Sequence, residues 1–418
     1  MKKYHVAGLS LGIVKNGKVM VSKGYGFANL DDSIPATEKT IFKLGSLSKQ
    51  FIATAIMVLA EQGKVNLSDY ISKYYKDAPV EWRNITIRNL LNHTSGLERE
   101  SPAFNPMIRQ PDSLLIQAAY KDTLLFPTGS NWEYSNLGYF ILADIIRKVS
   151  GNSFEDYMNT FFSTCGLAQT TTTTKSIGHY KATGYYYNKT TGLFYHAFDM
   201  PALRPSGAFS SSLVDMIKWD SIQRLGYVLT LKDWKKMWTD TVKTNGSMGV
   251  SFSWNYYGYG WGVGKIHGHN LVANGGYTPG FTTEYWKFMD DSLSIILLTN
   301  ADDTRTPQIF IDKIAIKIFN ALRPGLEASS VSITSFDKYY GVYSDTQSSM
   351  KITITEDEYG LAAQATGQSS FPLEYIAKDK FKFESGKIEI DFDTGKNELI
   401  LKQWGQNFIF TKDKRGGQ

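Results

Sequence analysis

Cysteine is almost missing from this chain: Cys165 is the single one in 418 residues. That excludes an intramolecular disulfide and a cysteine-built zinc site. Its neighbours are small or apolar, so a buried structural thiol is expected rather than a reactive one. Long apolar runs are also lacking. No stretch approaches the roughly 20 apolar residues that span a bilayer, and the charged start, Met1-Lys-Lys-Tyr-His5, has no apolar segment behind it to read as a signal peptide. An excess of charge of one sign is lacking as well. A net +5 with no Lys/Arg block gives little support to a nucleic-acid partner. The six histidines cluster only at His267-Gly-His269, where no carboxylate lies near in sequence. A solvated turn is expected there, and no metal or cofactor site.

What is present is a globular composition, 42% hydrophobic and 20% charged, at a length that suggests two domains. The aromatic share is 14%, with 25 Tyr, 24 Phe and 9 Trp. It fits a β-rich fold or an aromatic cleft equally well. Short apolar runs flank Asn16-Gly17, the dipeptide of a type I′ hairpin. Gly8-Leu9-Ser10-Leu11-Gly12 matches the G-x-S-x-G nucleophile elbow, but it runs straight on into that hairpin. The elbow needs a strand, a sharp turn and a helix, so Ser10 is read as a strand residue.

The stretch Phe42-Lys-Leu-Gly-Ser-Leu-Ser-Lys-Gln-Phe51 leads into Ile52–Ala60, an apolar run without Gly or Pro. A buried helix is expected, stopping near Gly63. Ser46 and Lys49 fall on one helix face at its start. The pair offers a nucleophile, an amine to perturb its proton and N–H groups for an oxyanion. Taken alone, it reads better as a helix cap beside a surface lysine, because both residue types are common. Asn92-His93-Thr-Ser-Gly-Leu97 follows, with His93 read as holding its own loop. Residues 98 to 130 look like an insertion able to line a cleft. Tyr134-Ser135-Asn136 then enters an apolar helix, 137 to 149, ended by Gly151; its Tyr and Asn either serve a pocket or pack and cap.

A Tyr-rich hairpin is expected around Tyr185–Tyr195, a helix over 214–222, and a strand of small and aromatic residues over Gly258–Gly264. Asn274-Gly-Gly276-Tyr277-Thr-Pro-Gly-Phe281 precedes two strands, 283–289 and 293–298, and a helix, 307–322. The texture then turns to Pro, Gly and Ser. Beyond it apolar residues alternate: Met350, Ile352, Ile354; Ile388, Ile390, Phe392; Leu399, Leu401; Phe408, Phe410. A small antiparallel barrel is expected. The domain reading is 1–322, a linker at 323–334, and an accessory barrel at 335–418.

Taken in order, these motifs resemble the penicillin-recognising serine hydrolases: class C β-lactamases, D,D-peptidases and related esterases. The resemblance covers roughly residues 6 to 320. It implies an α+β fold, an antiparallel sheet flanked by helices with an all-helical region beside it, followed here by a lipocalin-like barrel. It implies Ser46 as acylated nucleophile, Lys49 as the group that shares or takes its proton, and Tyr134 as proton shuttle. Asn136 would bind the substrate amide, and the N–H groups of Ser46 and Tyr277 would form the oxyanion hole. Asn274 and Gly276 belong to the substrate-binding strand. The family usually has Lys or His at the position of Asn274, so a neutral residue there disfavours carboxylate-anchored substrates such as β-lactams. The resemblance thus implies a serine hydrolase of amides or esters, a peptidase or esterase before a β-lactamase. The alternative is an impaired sensor. A small-molecule or peptide substrate and an exported location, periplasmic or extracellular, follow from family habit.

Overall fold

The protein is described here from a computed structural model, over residues 4–108, 110–172, 180–200, 207, 209–244, 255–266, 268–303, 306–322, 336–345, 350–357, 360–368, 371–377, 379–383, 388–403 and 405–413. His267 and the expected linker at 323–334 lie outside them. The contacts divide the chain into two units, Met1–Ala315 and Ile316–Gln418.

The first unit begins with the hairpin of β1 (Gly8–Lys15) and β2 (Lys18–Asn29). Asn16 and Gly17 both take positive φ, 50° and 75°, as the type I′ turn requires. Two short strands follow, β3 (Ile34–Pro35) and β4 (Ile41–Lys43), then a 3-10 turn, Gly45–Leu47, and α1 (Ser48–Glu61). The helical region holds α2 (Ile87–Leu91), α3 (Asp112–Ala118), α4 (Asn136–Ser150) and α5 (Phe154–Thr164). After it come β5 (Thr171–Thr172), the hairpin β6 (Tyr185–Asn188) and β7 (Leu193–His196), and β8 (Phe209–Ser212). Helices α6 (Leu213–Leu225) and α7 (Leu231–Thr239) precede β9 (Val242–Lys243), β10 (Tyr256–Tyr257), β11 (Gly262–Ile266), β12 (His269–Thr278), β13 (Phe281–Phe288) and β14 (Leu293–Thr299). Helix α8 (Thr306–Leu322) follows.

The main sheet is antiparallel, in the order β3-β2-β1-β14-β13-β12-β11-β10-β9. Its first and last long strands thus lie side by side, with Leu9 opposite Thr299. Strands β13 and β14 are buried along their whole length, which requires cover on both faces. Helix α6 covers one face: its Asp220 accepts hydrogen bonds from Tyr285 and Lys287 of β13. The start of helix α8, within the first unit, lies on the other, where Gln308 reaches Glu284. The alternation of Glu284 and Tyr285 along β13 separates the two faces.

Helix α1 is apolar nearly all round and buried from Ser48 to Met57, as expected of a central core helix. Just beyond it Gly63 takes φ 68°. The Gly258–Gly264 stretch differs from the continuous strand expected of it. Gly258 donates to Trp261 O and Gly260 takes φ 79°, so 258–261 is the turn between β10 and β11. A left-handed glycine breaks the ladder there.

The second unit contains β15 (Gly341–Ser344), β16 (Lys351–Asp357), β17 (Gly360–Ala365), β18 (Phe371–Pro372), β19 (Glu374–Ala377), β20 (Lys380–Phe383), β21 (Ile388–Asp393), β22 (Glu398–Gln403) and β23 (Gln406–Lys412). They form one antiparallel sheet ordered β18-β17-β16-β15-β23-β22-β21-β20-β19. The edge strands β18 and β19 are consecutive in sequence, with Leu373 alone between them. The sheet therefore curls until its two edges meet at that residue. Its interior holds members of the alternating set expected from the sequence, among them Ile352, Ile354, Ile390, Leu399 and Phe410, all buried, together with Phe381.

Candidate active site

Ser46 lies in the 3-10 turn ahead of α1. The turn and helix caps are Leu44 and Leu47, and neither makes a side-chain capping bond. The Ser46 hydroxyl is therefore not spent as a cap. Its Oγ instead accepts a hydrogen bond from Lys49 Nζ at 3.1 Å. Lys49 is fully buried, 0% exposed, and also donates to Asn136 Oδ1 at 2.7 Å. Its Nζ lies 4.7 Å from the ring centre of Tyr134 and 5.6 Å from that of Tyr139. Burial pushes the Lys49 amine well below the usual lysine range. The Arg99 guanidinium pushes the same way, and Glu100 opposes. An amine so placed favours its neutral form and can accept a proton from a hydroxyl 3.1 Å away.

Tyr134 and Asn136 enter from the start of α4. The helix is capped by Ser135, whose Oγ accepts from Gly138 N at 3.0 Å, so Asn136 is left to face Lys49. Ser135 N donates to His93 Nδ1 at 3.2 Å, which places the imidazole proton on Nε2. Burial, then Lys49 and Arg99, hold His93 well below the usual histidine range, so it is a neutral ring. It sits in the left-handed region, φ 62°, with its ring 4.4 Å from that of Tyr134. This is a histidine that carries its loop. The Tyr134 phenol is buried and hydrogen-bonded with the Ser46 side chain. Burial raises it above the usual tyrosine range, with Ser46 and Arg99 working in the opposite sense.

The opposite wall is β12. Thr283 Oγ1 donates to Leu44 O at 2.8 Å, fastening β13 to the residue that opens the Ser46 turn. A Cβ at Gly45 would fall 2.5 Å from Tyr277 N, and Gly45 takes φ 56°. Only glycine permits that approach. The N–H groups of Ser46 and Tyr277 therefore belong to neighbouring backbone segments. The Tyr277 side chain is exposed and hydrogen-bonded with Asp302, away from this role. Asn274 is buried, and its Nδ2 donates to Gly260 O at 2.7 Å and to Ser46 O at 3.5 Å. It thus ties the glycine turn to the turn that bears Ser46.

His269 does not supply the missing cation. It lies five residues from Asn274 along β12, about 17 Å at roughly 3.4 Å per residue, and on the other face. Its Nδ1 lies 2.5 Å from Asp291 Oδ2, a carboxylate distant in sequence. The hairpin of β13 and β14 brings it there. Among the described residues no group of three or more potential metal ligands is gathered.

Two site residues escaped sequence reasoning. Glu100 accepts a hydrogen bond from Asn136 Nδ2, and Arg99 places its guanidinium 5.2 Å from the centre of the Tyr134 ring. The Arg99 carbonyl accepts from the N–H groups of Asn136 and Leu137 at 2.8 and 3.1 Å, pinning this loop to α4. Their only sequence signal was their place at the start of the 98–130 stretch, read as able to line a cleft.

A serine, a buried lysine, a tyrosine and an asparagine thus converge beside a strand offering backbone N–H groups, on an antiparallel sheet flanked by helices. The chain belongs to the beta-lactamase family, whose model matches residues 1–314. It has the fold of these serine hydrolases. Penicillin-binding protein 4* of Bacillus subtilis (strain 168) is 24% identical over 415 residues, which cover 92% of this chain and 89% of that one. The octameric penicillin-binding protein homologue from Pyrococcus abyssi superposes with a TM-score of 0.73 at 23% identity, over 97% of this chain and 96% of its own. The D-amino acid amidase from Ochrobactrum anthropi SV3 gives a TM-score of 0.67 at 20% identity, over 77% and 96%. No helix among the described residues is long and apolar enough to cross a membrane.

Proposed function

We propose that the protein hydrolyses amides or esters through an acyl-enzyme on Ser46, as a peptidase or esterase rather than a dedicated β-lactamase. The observation that carries this reading is the 3.1 Å contact of Ser46 Oγ with a fully buried Lys49 amine that burial drives toward neutrality. As Oγ attacks the acyl carbonyl, Lys49 takes the hydroxyl proton. The C–O bond forms, and the tetrahedral oxygen is held by Ser46 N–H and Tyr277 N–H, each worth roughly 3–4 kcal/mol of barrier. Tyr134, kept a neutral phenol by its burial, gives its proton to the leaving nitrogen or oxygen as the scissile bond breaks, and is replenished by the proton that Lys49 took from Ser46. Water then reverses the path to release the acid. Asn136, fixed between Lys49 and Glu100, is suited to bind the substrate amide.

Substrate choice follows from Asn274. With its amide turned to Gly260 O, β12 offers no cation to anchor a substrate carboxylate. Neutral amides and esters fit better, and the amide of a D-amino acid, the substrate class in the amidase relative's name, is the first to try. The catalytic part is residues 1–322, followed by a linker, 323–334, and an accessory lipocalin-like barrel, 335–418. An exported location accords with this family. Fluorophosphonate labelling of wild type against Ser46→Ala, with a panel of D-amino-acid amides and short-chain esters, is the test. Labelling lost in Ser46→Ala and steady turnover by wild type are expected. Absence of any adduct on Ser46 would refute the reading, and a single-turnover burst would favour a sensor.

A further inference from the structure

The neutral side chain at position 274 leaves a question about charge. In this type of site a fixed cation near the tyrosine and lysine favours the phenolate and the free amine, both of which a proton relay passes through. Here β12 has none. The groups facing Tyr134 come from several elements. Lys49 approaches from α1, His93 from the loop after α2, Tyr139 from α4 and Tyr257 from β10, with Arg99 and Glu100 on the adjoining loop. His93 and both tyrosines are buried in their neutral forms. Lys49 must itself lose its charge to work, and Glu100 has the wrong sign. Arg99 is the one whose charge pH does not remove.

We propose that Arg99, reaching over the Tyr134 ring from the loop after Gly96-Leu97, is a positioning residue that supplies the positive charge absent from position 274. The inference rests on the acyl-enzyme reading above. The geometry is specific. The Arg99 carbonyl is held by two N–H groups of the helix that begins with Asn136, so the guanidinium 5.2 Å from the Tyr134 ring is borne by the same loop junction that presents Tyr134. The cation has moved from the β12 wall to the helical wall, and acts through space on Lys49 and Tyr134 together. Arg99 is exposed, so the chain loses little packing when the side chain is shortened.

The test is the pH dependence of kcat/KM on a neutral aryl ester, which has no carboxylate for Arg99 to bind. Removing the charge in Arg99→Gln makes Lys49 harder to deprotonate, so the acid limb moves to higher pH, by roughly half to one unit for a partly solvated pair. Arg99→Lys restores most of the wild-type limb, the shift shrinks in high salt, and thermal midpoints of all three proteins agree. A limb that stays in place in Arg99→Gln overturns the proposal. So does an Arg99→Lys variant that moves as far as Arg99→Gln, because charge would then not be the cause. If wild type itself fails to acylate on Ser46, the functional reading falls first. If it acylates and the limb does not move, only the role of Arg99 falls.

Discussion

Gly276 lies beneath the carbonyl of Leu44: a Cβ built on it would stand 1.9 Å from that oxygen and 2.7 Å from Thr283 Oγ1. This contact sets how closely β12 approaches the turn that bears Ser46. Gly276→Ala must push the strand and the turn apart by an ångström or more. Displacements of that size cost about 100-fold in rate. The expected outcome is a protein that folds, with a lower thermal midpoint, and labels with fluorophosphonate about 100-fold more slowly. Labelling at the wild-type rate would mean that this approach does not set the site.

Much of the frame was legible before the structure. The Asn16-Gly17 hairpin, the buried helix behind Ser46 and the alternation after residue 350 are local signals, and local backbone preference governs them. What escaped depends on distant partners. Nothing near Arg99 or Glu100 marks them as neighbours of Tyr134 and Asn136. Only the pairing of the Arg99 carbonyl with the start of α4 brings them in. Ser135, not Asn136, caps the helix, because capping depends on where the first turn begins. The glycine turn at 258–261 looked like strand because alternating aromatics mimic one.

Cys165 is expected to be inert in the folded protein. It is buried, and burial pushes its thiol up to about 12, with Lys218 opposing. At pH 8 almost none is thiolate. Ellman's reagent should react slowly with native protein and fully after denaturation. Rapid stoichiometric reaction of native protein would contradict this placement.

Asp220 gathers three donors on one oxygen: Tyr285 Oη at 2.6 Å, Lys287 Nζ at 2.5 Å and Ser294 Oγ at 2.6 Å. The cluster ties α6 to β13 and β14 inside the protein. Asp220→Ala strands a buried ammonium and two hydroxyls, and a loss of about 3–5 kcal/mol is expected. Lys287→Met leaves the carboxylate with its two hydroxyl donors and should cost less. Urea unfolding of both variants measures this, and a larger loss in Lys287→Met would show that the lysine rather than the aspartate is the hub.

Glu284 faces α8 on the side of the sheet away from Ser46, where Trp286 Nε1 and Gln308 Nε2 each donate to it at 3.0 Å. Two neutral donors do not offset the loss of water. Burial raises its carboxyl from 4.5 to about 7, with Trp286 and Gln308 pulling down. The folded protein therefore holds a proton that the unfolded chain releases. Its contribution to stability is complete below about pH 4.5, falls as pH rises through the interval to about 7, and is flat above. The gap corresponds to about 3 kcal/mol at most. Glu284→Gln is neutral at every pH and mimics the protonated acid. It should match wild type at pH 4.5 and exceed it by up to about 3 kcal/mol at pH 8. Urea unfolding of both proteins across that range decides it, because parallel pH curves would show that Glu284 is ionised in the folded state throughout.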